Sequence, residues 1–128
     1  MENRLYAVRG AVCCENSVES VSFHVPNMYR ALLERNGIAE DDIVSVVFSV
    51  TDDLTVLNPA TALRNAGLAL SVPLFACAEP FIEKYLPRVI RVLVTFYGAN
   101  RPEAVYLNGA EVLRPDLSGS SGAARDRE

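Results

Sequence analysis

Arg91 is the residue that most constrains this chain, because it stands inside Arg88-Val-Ile-Arg-Val-Leu-Val-Thr-Phe-Tyr97, an otherwise apolar, β-branched run. A guanidinium stays charged at any accessible pH and is costly to bury without an anion, so a strand of this kind must supply or await one. Other polar residues flank similar apolar segments: Arg9 in Tyr6-Ala-Val-Arg-Gly-Ala-Val12, Glu79 just after Val72-Pro-Leu-Phe-Ala-Cys77, and Tyr106 and Arg114 around the last one. Together they point to a pocket for a small polyanion. The competing structural reading of Arg91 is an ion pair with Glu79.

The chain has 128 residues, half of them hydrophobic, which is the size and composition of one globular domain. We read residues 1–117 as that domain and 118–128, rich in Ser, Gly and charge, as a disordered tail. A formal charge of −4 argues against a nucleic-acid surface, so an anion site would have to be local. Eleven of the twelve basic residues are Arg; genome composition explains that ratio more simply than carboxylate recognition does. Cys13, Cys14 and Cys77, with His24 as the one histidine, fit neither a disulfide framework nor a metal site. With no signal-peptide pattern and no long uncharged apolar stretch, the expectation is a soluble, cytoplasmic protein with reduced thiols and no membrane partner.

The periodicities predict five strands and one long helix. Strands are expected at Arg4–Cys14, Ile43–Thr51, Val72–Cys77, Arg88–Tyr97 and Ala104–Leu107. The long helix runs from an Asn16 cap, with Glu19 three residues on, to Asn36-Gly37. Its stripe is Val18, Val21, Val25, Met28 and Leu32, and Pro26 should kink or break it. A short helix follows Asn58-Pro59 and stops at Gly67; Glu79-Pro80 opens a helical or turn segment through Leu86. Gly10 permits close approach of another backbone or a ligand.

Taken in order, these segments resemble the monofunctional chorismate mutases of the Bacillus type, small trimeric α+β enzymes. The pieces that carry the resemblance are Val8-Arg-Gly-Ala11, Thr51-Asp-Asp-Leu54 with Pro59-Ala-Thr-Ala-Leu-Arg64, Val72-Pro73 with Glu79, Arg88-Val-Ile-Arg-Val92, Val105-Tyr-Leu107 and Val112-Leu-Arg-Pro-Asp-Leu117. The resemblance implies an α+β fold, a mixed sheet of about five strands assembled as a homotrimer with a pseudo-barrel core and sites at subunit interfaces. It implies chorismate as substrate, rearranged to prephenate in the Phe/Tyr branch of aromatic amino acid biosynthesis, with no cofactor and no metal. Such a reaction depends on a held conformer and fixed charges rather than on a nucleophile.

On the same resemblance, Arg91 and Glu79 are the catalytic pair and Arg9 and Tyr106 hold the enolpyruvyl carboxylate. Arg64 reaches across a subunit boundary, Asn58, Ala60, Thr61, Phe75 and Ala76 line the substrate pocket, and Leu113 and Arg114 lie at its mouth. Where the Bacillus pattern has Phe, Lys and Cys, this chain has Asn58, Thr61 and Ala76, with Cys77 one place later on the other strand face. Two alternatives stay open: a same-fold enzyme for another compact carboxylate, and a binding protein of this fold.

Overall fold

A computed structural model describes residues 3–115. It contains β1 (Arg4–Cys13), α1 (Val18–Asn36), β2 (Ile43–Val50), α2 (Pro59–Asn65), β3 (Leu74–Ala78), β4 (Val89–Gly98) and β5 (Val105–Leu107). Short 3-10 turns occupy Glu40–Asp42 and Ala110–Leu113. The strands form one mixed sheet in the order β3-β2-β4-β1-β5. The central β4 runs antiparallel to β1 and β2, and the edge strands β3 and β5 run parallel to β2 and β1. This is the expected α+β class. The expected tail, 118–128, lies outside the described residues.

Strand alternation decides where the core sits. Val8 and Val12 of β1, Val46 and Phe48 of β2, and Ile90, Val92, Val94 and Phe96 of β4 share one face and are buried under the helices. From α1 come Val21, Val25, Met28, Tyr29 and Leu32; from α2 come Ala60, Ala62 and Leu63. Gly10 belongs to this face. A Cβ there would lie 3.1 Å from Leu32 Cδ1, Val105 O and Val92 Cγ1, so the glycine admits α1 and β5 rather than a ligand. The 19-residue α1 continues through the buried Pro26, so of the expected kink or break the break does not occur. Its packed stripe outweighs the one backbone hydrogen bond that proline removes, a loss on the order of 3 kcal/mol.

Two further expectations need correction, the cap of α1 and the bounds of the third strand. The cap of α1 is Ser17, whose hydroxyl accepts from Ser20 N at 3.1 Å, and not Asn16. Asn16 is engaged elsewhere: its Oδ1 accepts from Thr55 N (2.9 Å) and Val56 N (3.3 Å), tying the start of the helix to the loop before α2. The segment after Glu79, expected as helix or turn, is a turn at Glu83-Lys84. The third strand begins at Leu74 and extends to Ala78, since Val72 is buried in the preceding loop. Asn58 does cap α2, accepting from Ala60 N at 2.8 Å, and Gly37 ends α1 in the left-handed conformation, φ 60°.

The other sheet face is covered only at its Ala11–Val89 end, by the 3-10 turn at Ala110–Leu113, and is otherwise bare in the single chain. Leu5, Phe75, Leu93 and Tyr97 are all exposed there. No helix of the described residues is long and apolar enough to cross a membrane.

Candidate active site

The strand register lays a row of side chains across the bare face. Arg91 is paired with Ala11 on β1 and with Ser49 on β2; Ala11 is paired with Tyr106 on β5, and Ser49 with Cys77 on β3. Reading across, the row is Cys77, Ser49, Arg91, Ala11, Tyr106. Arg9 is paired with Leu93, the next residue of β4 on this face. A shallow groove of about 230 Å³ runs between them, lined by Arg9, Val47, Ser49, Arg91 and Leu93 among others. Sequence-distant cations thus share one surface.

Glu79 supplies the anion that Arg91 requires. Its backbone N–H donates to Val50 O at 2.9 Å, extending the β2–β3 ladder one residue beyond β3 and delivering the side chain beside the row. One carboxylate oxygen, Oε2, lies 2.9 Å from Arg91 Nε. The buried Nε–H is not aligned on any acceptor, so this contact is ionic rather than a directed hydrogen bond. The other oxygen, Oε1, accepts from the Ser49 hydroxyl. The Glu79 side chain is 17% exposed against 37% for Arg91, so the pair is half-sheltered with part of the guanidinium still open to the groove. The structural reading of Arg91 and the functional one are both accommodated by this geometry.

At the end of the row, Tyr106 and Leu113 pack on Ala11, Val89 and Ala110. Arg114 follows directly, half-buried, after the 3-10 turn. The remaining expected site residues lie elsewhere in the chain. Asn58 and Ala76 line a separate open cleft of about 370 Å³ with Val50, Leu54, Leu57 and Cys77. Ala60 is buried on the packed side of α2, and Thr61 and Arg64 are exposed on that helix, which packs on the opposite face of the sheet from Arg91. Phe75 is 66% exposed on the bare face at the sheet edge. One chain therefore brings Arg9, Glu79, Arg91 and Tyr106 onto one face and leaves Asn58, Thr61, Arg64 and Ala76 on the other side.

The chain matches the family of type I chorismate mutases over residues 5–117. It belongs to that family. It is 39% identical over 115 residues to chorismate mutase AroH of Thermus thermophilus, covering 86% of this chain and 93% of that one. Identity to chorismate mutase AroH of Bacillus subtilis is 30% over 115 residues, 87% of this chain and 91% of the other. The fold agrees with a chorismate mutase structure from Clostridium thermocellum at a TM-score of 0.80 and 35% identity, covering 84% of this chain and 99% of that chain.

For a chorismate mutase, an intramolecular rearrangement needs fixed charges more than reactive groups. Among the described residues no His, Cys, Asp and Glu side chains gather as a metal site. Burial pushes the Cys14 thiol up to about 11 and raises Cys13, which keeps both protonated near neutral pH. The polar partner that the sequence reading missed is Ser49. On an alternating strand it is one of several outward polar positions, and only the β2–β4 register places it against Arg91.

Proposed function

We propose that the chain converts chorismate to prephenate at a site completed between neighbouring copies of a homotrimer, in the cytoplasm and on the route to phenylalanine and tyrosine. The observation that carries the reading is the Arg91–Glu79 pair, a fixed cation and a fixed anion side by side on an open sheet face. As the ether C–O bond breaks ahead of C–C bond formation, negative charge grows on the ether oxygen and positive charge on the ring. Arg91 donates to that oxygen and to a substrate carboxylate, while Glu79 accepts from the ring hydroxyl and faces the developing cation. Arg9 and Tyr106 hold the enolpyruvyl carboxylate.

The other half of the site comes from an adjacent copy. Arg64 of that copy approaches the ring carboxylate, and its Asn58, Ala60, Thr61, Phe75 and Ala76 contribute the pocket wall. Leu113 and Arg114 sit at the mouth. Support comes from the division of these groups between two faces of one sheet, together with an exposed apolar face on the catalytic side.

The test is the ultraviolet absorbance of chorismate incubated with purified protein. Consumption with formation of prephenate is expected; chorismate bound unchanged would make this a binding protein. A second reading, an enzyme for another compact carboxylate, draws on Asn58, Thr61 and Ala76; the open cleft that Asn58 and Ala76 line has no cation among its lining residues. It predicts that chorismate is left untouched. Sedimentation showing a stable monomer at micromolar concentration would overturn the trimer.

A further inference from the structure

We propose that Ser49 is a positioning residue for the rearrangement, acting through Glu79; the inference rests on the chorismate mutase reading of the site. Ser49 lies in the row across the bare sheet face, directly between Arg91 on β4 and Cys77 on β3. Its side chain points away from the core, so it adds nothing to the packing under the helices. Its hydroxyl instead donates to Glu79 Oε1.

The geometry shows why that bond matters. A carboxylate on a glutamate is free to turn about its last torsion unless something directional holds it. Arg91 Nε lies 2.9 Å from Oε2, yet its N–H is not aligned on an acceptor, so the ion pair attracts the carboxylate without fixing its plane. Glu79 N is tied to Val50 O, which anchors the backbone but not the end of the side chain. Ser49 provides the directed contact. With Oε1 taken by the hydroxyl and Oε2 beside the guanidinium, each carboxylate oxygen has its own contact and the group is held in one plane. A hydrogen bond to a charged acceptor is also stronger than one between neutral groups.

This role separates from a structural one by its effect on turnover. Ser49→Ala is expected to lower kcat by about tenfold, leave KM within about threefold, and leave the melting temperature nearly unchanged, as for a substitution on an open face. Ser49→Thr, which retains the hydroxyl on a residue favoured in strands, should recover most of the loss. Ser49→Cys, similar in size but a weak donor, should behave like Ser49→Ala. In a Glu79→Ala background, Ser49→Ala should have no further effect on kcat, because its partner is already gone.

Ser49→Ala with kcat within twofold of wild type would overturn the inference, as would an equal fold-loss in the presence and absence of Glu79. Those results leave the chorismate reading standing. A wild-type protein that does not consume chorismate overturns that reading, and this inference with it.

Discussion

The two faces of the sheet are built from the same strands by the same alternation, yet they obey opposite rules. On the helix-covered face every strand contributes an apolar side chain, and Phe48, Ile90 and Val94 are fully enclosed by α1 and α2. On the bare face the same strands carry Arg9, Ser49, Arg91, Thr95 and Tyr97 between Leu5, Val47 and Leu93. The first face is saturated by its own chain. The second carries exposed apolar area and the Arg91–Glu79 ion pair, and it is the face proposed for the chemistry. A charged pair is tolerated there because Glu79 shelters it from one side while the groove leaves the guanidinium accessible. The comparison teaches that the packed core and the proposed site occupy different sides of one sheet.

Substitutions can break this division. The largest effect is expected on the closed face: Phe48→Ala should cost about 3–5 kcal/mol by opening a cavity that α1 and α2 cannot fill. Chemical denaturation would measure it, and a loss below about 1 kcal/mol would show that the face is not close-packed. Arg91→Ala, across the sheet, should lower kcat by about a thousandfold, roughly 4 kcal/mol of transition-state stabilisation, with the melting temperature nearly kept. Arg91→Lys should fail as well, since a point charge cannot serve an ether oxygen and a carboxylate together. Retention within tenfold by the lysine variant would refute the planar contact.

A third substitution sharpens the contrast through assembly. Leu93 is 41% exposed in the single chain, so Leu93→Asp should alter the stability of the chain itself by no more than about 0.5 kcal/mol. It should nevertheless dissociate the proposed trimer and abolish turnover, because it replaces apolar interface area by a carboxylate beside Arg9 that must be desolvated on assembly and that repels an anionic substrate. Sedimentation velocity alongside the absorbance assay checks both. An active trimer carrying this substitution would show that the bare face is not the assembly surface.

The smallest effect belongs to a polar contact at the rim of the core. Tyr29 donates to Glu40 Oε2 at 2.6 Å, and the same oxygen accepts from Ala69 N at 2.9 Å, joining α1 to two loops. Burial, then the hydrogen bond to Glu40, raises the Tyr29 hydroxyl well above its ordinary value. The folded chain therefore holds that proton more tightly than the unfolded chain. Its contribution is complete below about pH 10 and declines as the pH rises beyond that point. Tyr29→Phe should cost about 1 kcal/mol near neutrality. The gap between variant and wild type should narrow above about pH 10, which melting curves taken across that range would reveal; a gap independent of pH would remove the linkage.

Much of this architecture is written locally. The strand runs are readable because β-branched residues alternate, α2 because Asn58-Pro59 is a strong start, and the end of α1 because Gly37 accepts a left-handed backbone. Local signals are overridden where a residue has a tertiary alternative. Asn16 looks like the better cap, but its amide is recruited by the loop at Thr55 and Val56, and the cap passes to Ser17. Pro26 looks like a break, but breaking there would forfeit the burial of Met28, Tyr29 and Leu32 against the sheet. A cap preference of about 1 kcal/mol and a proline penalty of about 3 kcal/mol both yield to the summed burial of a packed helix face.

The candidate site divides in the same way. By itself the sequence determined that Arg91 is a cation on a strand, that Glu79 is an acid at a strand end, and that the ordered segments resemble one enzyme family. Those facts depend on residue type and spacing along the chain. The tertiary structure decided that Glu79 is the partner of Arg91, that Ser49 holds the second carboxylate oxygen, and that Arg64 and Asn58 stand on the other side of the sheet. Each of these follows from register between strands distant in sequence and from the face on which a helix packs. Such pairings are set by burial summed over the whole sheet, so no short stretch of sequence contains them.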